Sequence, residues 1–269
     1  MAVTIAVFGA TSAAACGLTA NFDGLQDGGP ADAGFDRSTR PGDGGDGGAP
    51  EATAEGGFCA SLSTPVQFCD DFDEGQTIGA GWSQTDVYQG STIALDNVYF
   101  SQPFSFLSSI NENTAPSSAR LLENVPIDTP HVHMEFEMLL PPSTGQFNFE
   151  LCTLHEPVDS GLTYGVFYKY QNGNLLVYLR TLLEDGGESD LYNVIGAPPA
   201  GWLHVEIDCD VSGSGTVVVK HNGAIVVNDT DANTSTLSRT DMWVEVGFYS
   251  NDPATAIAHF DNVIIDWTQ

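Results

Sequence analysis

The stretch HVHMEFEML, residues 131–139, alternates without a break. Val132, Met134, Phe136 and Met138 take one parity; His131, His133, Glu135 and Glu137 take the other. A period of two sends the two sets to opposite faces of a β-strand, whereas a helix needs a period of 3.6. LHVEIDCDV repeats the arrangement, with Leu203, Val205, Ile207, Cys209 and Val211 against His204, Glu206, Asp208 and Asp210. Strands wet on one face and apolar on the other belong to antiparallel sheets packed over a core. Two Asn-Gly pairs, Asn172-Gly173 in YGVFYKYQNGNLLVYLRT and Asn222-Gly223 in TVVVKHNGAIVVND, supply the positive φ angles of type I′ hairpin turns. STIAL, FSFLSSI, ARLLENV, FNFELCTL, MWVEVGFY and AHFDNVIIDW read as further strands. About a dozen short strands over residues 58–269, with no amphipathic helix among them, predict one all-β domain, a two-sheet antiparallel sandwich or jelly roll.

The amino-terminal side has a different texture. Residues 21–57 hold 11 glycines and eight acids, with Phe22 and Phe35 as the only aromatics. Such a segment cannot bury enough apolar area to offset its ordering entropy, so it reads as a disordered tether. Residues 1–15, MAVTIAVFGATSAAA, are apolar and small and read as a secretory signal segment that lacks its usual positive start. Ala13-Ala14-Ala15-Cys16-Gly17 resembles the lipobox of bacterial lipoproteins, with Ala13 where that family prefers Leu. The resemblance implies lipidation at Cys16, and Gly17 rather than Asp implies sorting to the outer membrane. Acyl chains, not a spanning helix, would then hold the protein to its bilayer. The layout expected is a signal segment over 1–15, a Gly/Asp/Pro-rich linker over 16–57 with a reach on the order of 35 Å, and the β domain over 58–269.

Cysteine number fits export. Five cysteines are odd, but with Cys16 given to lipid the remaining four can pair as Cys59–Cys69 and Cys152–Cys209. No Cys-x-x-Cys pair suggests a zinc-thiolate site.

Charge narrows the partners. The chain has 7 Lys plus Arg against 36 Asp plus Glu. Eight of the acids and two of the bases (Arg37 and Arg40) fall in 21–57, so residues 58–269 carry 28 acids and five bases. A surface of that sign repels nucleic acid and anionic headgroups, which excludes a DNA or RNA partner.

GWLHVEIDCDVSGSGTVVVKHNGAIVVND, MWVEVGFYSN followed by AHFDNVIIDW, and the opening FCDDFDEG…GW resemble concanavalin A-like lectin/glucanase domains, including laminin-G-like ones. The resemblance spans residues 58–267 and implies two antiparallel sheets face to face, one of them concave. It bears on fold more than on activity.

Four constellations are candidates for chemistry. Alternation places Glu206, Asp208 and Asp210 on one strand face at about 6.5–7 Å intervals. They resemble the Glu-x-Asp-x-Glu strand of laminarinase-type hydrolases, which implies Glu206 as nucleophile, Asp208 as helper and Asp210, one methylene short, as acid/base. His131, His133 and Glu135 have zinc-ligand chemistry, with His155 or His259 as a further ligand, although strand spacing is wide for one ion. Asp70, Asp71, Asp73, Asp261 and Asn262 have the hard oxygens that calcium takes, with Asp261 and Asn262 the metal candidates carried forward. For sugar, flat rings and polar side chains are needed: Tyr168, Tyr170, Tyr178, Arg180, Tyr192 and Trp202 form the expected ligand face.

The reading that follows is a non-catalytic, exported, lipid-anchored surface protein. Its lectin-like domain binds polysaccharide or another cell-surface component, with no cofactor beyond a structural calcium. One alternative is an envelope-attached glycoside hydrolase or lyase using Glu206, Asp208 and Asp210. The other is a purely structural envelope protein.

Overall fold

A computed structural model describes residues 57–73, 77–112, 116–141, 148–157, 163–182, 188–210, 215–232, 242–252 and 254–268, all within the unit Ala52–Gln269. The signal-like segment, Cys16 and the linker lie outside the described residues. Most of the described residues are strand, and a single four-residue helix, Phe58–Ser61, stands among them. No helix among them is long and apolar enough to cross a membrane.

Two antiparallel sheets form a sandwich. The eight-stranded sheet contains β1 (Phe68–Asp70), β3 (Thr92–Asp96), β4 (Ser105–Glu112), β6 (His131–Leu139), β11 (Leu203–Asp210), β12 (Gly215–His221), β13 (Ala224–Ala232) and β15 (Ala254–Thr268), in the order β13-β12-β11-β6-β15-β4-β3 with β1 also paired to β15. The seven-stranded sheet contains β2 (Gln84–Tyr88), β5 (Ser117–Asn124), β7 (Asn148–Pro157), β8 (Thr163–Gln171), β9 (Asn174–Leu182), β10 (Glu188–Gly196) and β14 (Trp243–Ser250), in the order β10-β9-β8-β7-β14-β5-β2. β10, built from ESDLYNVIG, is not singled out by the sequence pattern; it completes an edge.

The alternating strands do what their parity demands. Val132, Met134, Phe136 and Met138 of β6 and Leu203, Val205, Ile207 and Cys209 of β11 are buried, and their polar alternates look outward. Tyr168, Val177, Leu121, Val246 and Phe248 of the other sheet meet them in one core. Each such side chain contributes about 1.5–3 kcal/mol by leaving water. Both Asn-Gly turns form: Asn172 and Gly173 take φ of 51° and 84°, Asn222 and Gly223 of 49° and 77°.

Cys59 and Cys69 are bonded, tying the helix to β1. The second pair expected, Cys152 with Cys209, involves a Cys152 side chain outside the described residues; Cys209 itself is buried in the core.

Candidate functional site

The seven-stranded sheet fixes its outer face through register. The two-residue turn at Asn172-Gly173 pairs Gln171 with Asn174, which sets Lys169 opposite Leu176, Tyr168 opposite Val177 and Phe167 opposite Tyr178. Residues opposite one another share a face. Tyr168 and Tyr170 therefore share the face of Val177, 0% and 4% exposed in the core. The expectation that they contact ligand is corrected: they are packing residues, and Phe167 and Lys169, the alternate positions, face outward. Tyr178 and Arg180 stand on that outer face, and Tyr192 of β10, opposite Tyr178, stacks on it at 4.7 Å with planes 21° apart. Trp202 belongs elsewhere; its ring packs edge-on to Phe100 and His259.

A groove of about 260 Å³ opens on this face, lined by Arg120, Glu150, Phe167, Lys169, Tyr178, Arg180, Tyr249 and Asn251. Tyr249 of β14, Glu150 of β7 and Lys169 of β8 lie in one row across the sheet. The ladder shifts register beside this row, between Val246 and Tyr249 and between Glu150 and Cys152, so bulges aim these side chains. Arg120 of β5 lies opposite Gly247 of β14. A Cβ on Gly247, whose φ is +122°, would sit 2.4 Å from the Ala119 carbonyl oxygen and 2.7 Å from the Arg120 Cα. Only glycine permits this approach of β14 to β5.

The cations are held in place. Arg120 donates from Nε to Asp86 at 2.8 Å and from Nη1 to Glu245 at 2.5 Å, and its guanidinium lies 4.6 Å from the centre of the Tyr249 ring. Burial works against the Arg120 charge, but Glu245 and Asp86 more than offset it and raise its pKa. Glu245, 3% exposed, also accepts from Trp243 Nε1 at 2.6 Å. Lys169 Nζ is 3.0 Å from Glu150 and lies over the rings of Tyr178 and Phe167 at 4.5 and 4.8 Å. Arg180 donates from Nε to the Tyr178 hydroxyl at 2.8 Å. Tyr249 donates its hydroxyl to Asn251 at 2.8 Å; burial and then Glu150 push its pKa up, against Arg120, so the phenol keeps its proton at neutral pH. Three of the five bases in residues 58–269 thus line one groove. Of the other two, Lys220 is on the opposite sheet and Arg239 is outside the described residues.

The acidic triplet stands on the outer face of the other sheet. Glu206 accepts from Lys220 Nζ at 2.6 Å, and Asp208 sits 2.7 Å from His133 Nδ1. Asp210 pairs in register with His131. His133 Nε2 is 3.4 Å from Glu135, and His204 Nδ1 is 2.9 Å from Glu137. The hydrogen bonds to Asp208 and then Glu135 raise the His133 pKa to about 9, and the same bond to His133 lowers both carboxylates. These side chains face one another as a surface network. Among the described residues, no three His, Cys, Asp or Glu side chains are arranged as a metal site. The buried carboxylate of Asp261 accepts the backbone N–H groups of Phe100, Ser101 and Asn262 at 2.8, 2.9 and 2.8 Å; Asn262 Oδ1 accepts from the Ser101 hydroxyl at 2.7 Å. Both hold the loop before β4 against β15.

Arg120, Glu150, Phe167, Lys169, Tyr249 and Asn251 are the groove residues that sequence reasoning did not single out. The scarcity of cations was the available signal: in so acidic a domain, the places that keep Arg and Lys mark a site.

No family model and no curated protein matches the chain. Among solved structures, it is similar to endo-beta-1,4-glucuronan lyase from the fungus Trichoderma reesei, with a TM-score of 0.64 and 13% identity over 76% of this chain and 96% of that one. It is also similar to the cellulose induced protein Cip1, with a TM-score of 0.57 and 20% identity over 75% of this chain and 98% of that one. The fold is a concanavalin A-like jelly roll. The expectation of a non-catalytic binding module is corrected on this likeness to a lyase.

Proposed function

We propose that this protein is a polysaccharide lyase that cleaves a uronate-containing polymer by β-elimination in the groove of the seven-stranded sheet. The observation that carries the reading is the gathering of Arg120, Lys169 and Arg180 beside Tyr249 in a domain otherwise dominated by acids. The glucuronan lyase that shares the fold supports the substrate class.

Elimination from a uronate has three requirements. A cation must stabilise the charge that builds on the carboxylate when the proton on the adjacent carbon leaves. A base must take that proton, and an acid must protonate the departing glycosidic oxygen. The C–O bond then breaks and a carbon–carbon double bond forms in the sugar left behind. Lys169 and Arg180 hold the carboxylate, with Arg120 fixed behind the Tyr249 ring. Glu150, the acid lining the groove among the described residues, takes the proton. Tyr249, kept protonated by its surroundings, gives one to the leaving oxygen.

The test is ultraviolet absorbance of the unsaturated product from polyglucuronate and from alginate. Tyr249→Phe and Glu150→Gln are expected to lose about 10²–10⁴-fold in rate, while Glu206→Gln is unchanged. Release of reducing ends with no unsaturated product, abolished by Glu206→Gln, would replace this reading with a hydrolase. No unsaturated product from any uronate polymer would end it.

We also infer export with lipid attachment at Cys16, the segment 16–57 presenting a catalytic domain over 58–269. The Cys59–Cys69 bond is in keeping with an oxidising compartment.

A further inference from the structure

Tyr192 is an exposed aromatic ring outside the buried core. It lies on β10, the edge strand of the seven-stranded sheet, and is 55% exposed. Yet it is held in a fixed pose: one face stacks on Tyr178 at 4.7 Å, and Tyr178 is in turn packed by Phe167 at 5.4 Å and by the Lys169 ammonium at 4.5 Å. Val194, two residues along the same face of β10, is 68% exposed. An ordered ring with a free face, continuous with a cationic groove, is a platform for the flat apolar side of a sugar ring.

Register gives the distance. The row that carries Tyr249, Glu150 and Lys169 continues through Leu176 to Val194, and the neighbouring row runs from Glu245 through Thr153, Phe167 and Tyr178 to Tyr192. Tyr192 is therefore four strands from Tyr249, about 19 Å at the usual strand spacing, and one row along. That span takes several sugar rings, not one.

We propose that Tyr192 forms a remote subsite for the polyuronate chain, which crosses the strands from Tyr249 to the β10 edge. This rests on the lyase reading and adds that the substrate lies perpendicular to the strands, so that the protein favours long chains and cuts within them. Lys169 and Arg180 hold the carboxylate of the reacting sugar, and Tyr192 stacks on a ring remote from the bond that breaks.

The experiment compares Tyr192→Ala with the unaltered protein on a size ladder of glucuronate oligomers and on the polymer. The loss of the ring is expected to lower kcat/KM on the polymer and long oligomers by about 3- to 10-fold, through KM, with the shortest cleavable oligomer unaffected. Tyr192→Trp should retain the preference for long chains. Equal effects at every length, or none at any, would overturn the proposal. Titration calorimetry with Tyr249→Phe protein, with and without Tyr192→Ala, reads the same length dependence in affinity without turnover. If no uronate polymer is cleaved but the length-dependent loss of affinity is found, the lyase reading fails and the subsite stands. If cleavage is found without length dependence, the subsite fails alone.

Discussion

His133 makes the stability of this domain depend on pH across a window that few other groups touch. Its imidazole bridges Asp208 of β11 and Glu135 of its own strand, and its pKa rises to about 9. His131 and Glu137 on β6, His204, Glu206 and Asp210 on β11, Lys220 on β12 and Asp266, the register partner of His133 on β15, also line this face. An unfolded histidine titrates near 6.5. The folded state therefore binds the proton more tightly. The stabilisation is fully present below about pH 6.5 and is lost as pH rises through 9. The full shift converts to about 3 kcal/mol as an upper limit; with 27% of the side chain exposed, solvent screening brings the expectation to about 1–2 kcal/mol. Burial lowers the pKa values of His221 and His259, so their contributions fall away on the acid side of the window, and the raised Tyr249 titrates above it. Urea unfolding followed by tryptophan fluorescence at intervals from pH 6.5 to 9.5 reads the effect. Stability should fall with rising pH in the unaltered protein and stay nearly flat in His133→Gln. Parallel curves for the two proteins, or stability that climbs over this range, would refute the reasoning.

Two further outcomes follow from the packing. Tyr168 is fully buried, meets Phe136 edge-on at 6.4 Å and bonds His221 Nε2 through its hydroxyl at 2.8 Å, so Tyr168→Ala should cost about 3–5 kcal/mol in a thermal melt; an unchanged melt with lost ligand binding would return Tyr168 to the ligand face. Gly247→Ala should cost about 2–3 kcal/mol, because it combines an unfavourable φ with contact against the Ala119 carbonyl and the Arg120 backbone; melting at the temperature of the unaltered protein would show that β14 has room to shift away.

Much of the fold is legible because it rests on local rules. The parity of β6 and β11 names their buried faces residue by residue, and the Asn-Gly pairs fix two hairpins. The site is harder to read, and Tyr168 shows why. Its strand reads Tyr-Gly-Val-Phe-Tyr-Lys-Tyr, with aromatic rings at both parities, so ring content alone cannot say which face is wet. Lys169 can: its ammonium belongs outside, which sends Tyr168 and Tyr170 inward, and the Asn-Gly register then brings Phe167, not Tyr168, to Tyr178. Arg120, Glu150 and Tyr249 were beyond reach for a different reason. They lie on β5, β7 and β14, and their meeting depends on a strand order that no local pattern encodes. β10, an edge strand with apolar residues exposed on both parities, shows too little alternation to announce itself.

The few cations of the groove sit inside a strongly anionic body, and this shapes how a polyanion would arrive. At a distance it meets the net repulsion of the whole molecule; only within roughly a Debye length, about 8 Å at physiological ionic strength, does it sense Arg120, Lys169 and Arg180 separately. Dissolved salt therefore acts twice, first easing the approach by damping the long-range field and then, at higher concentration, weakening the grip at close range. Capture of an acidic chain would be quickest at an intermediate ionic strength.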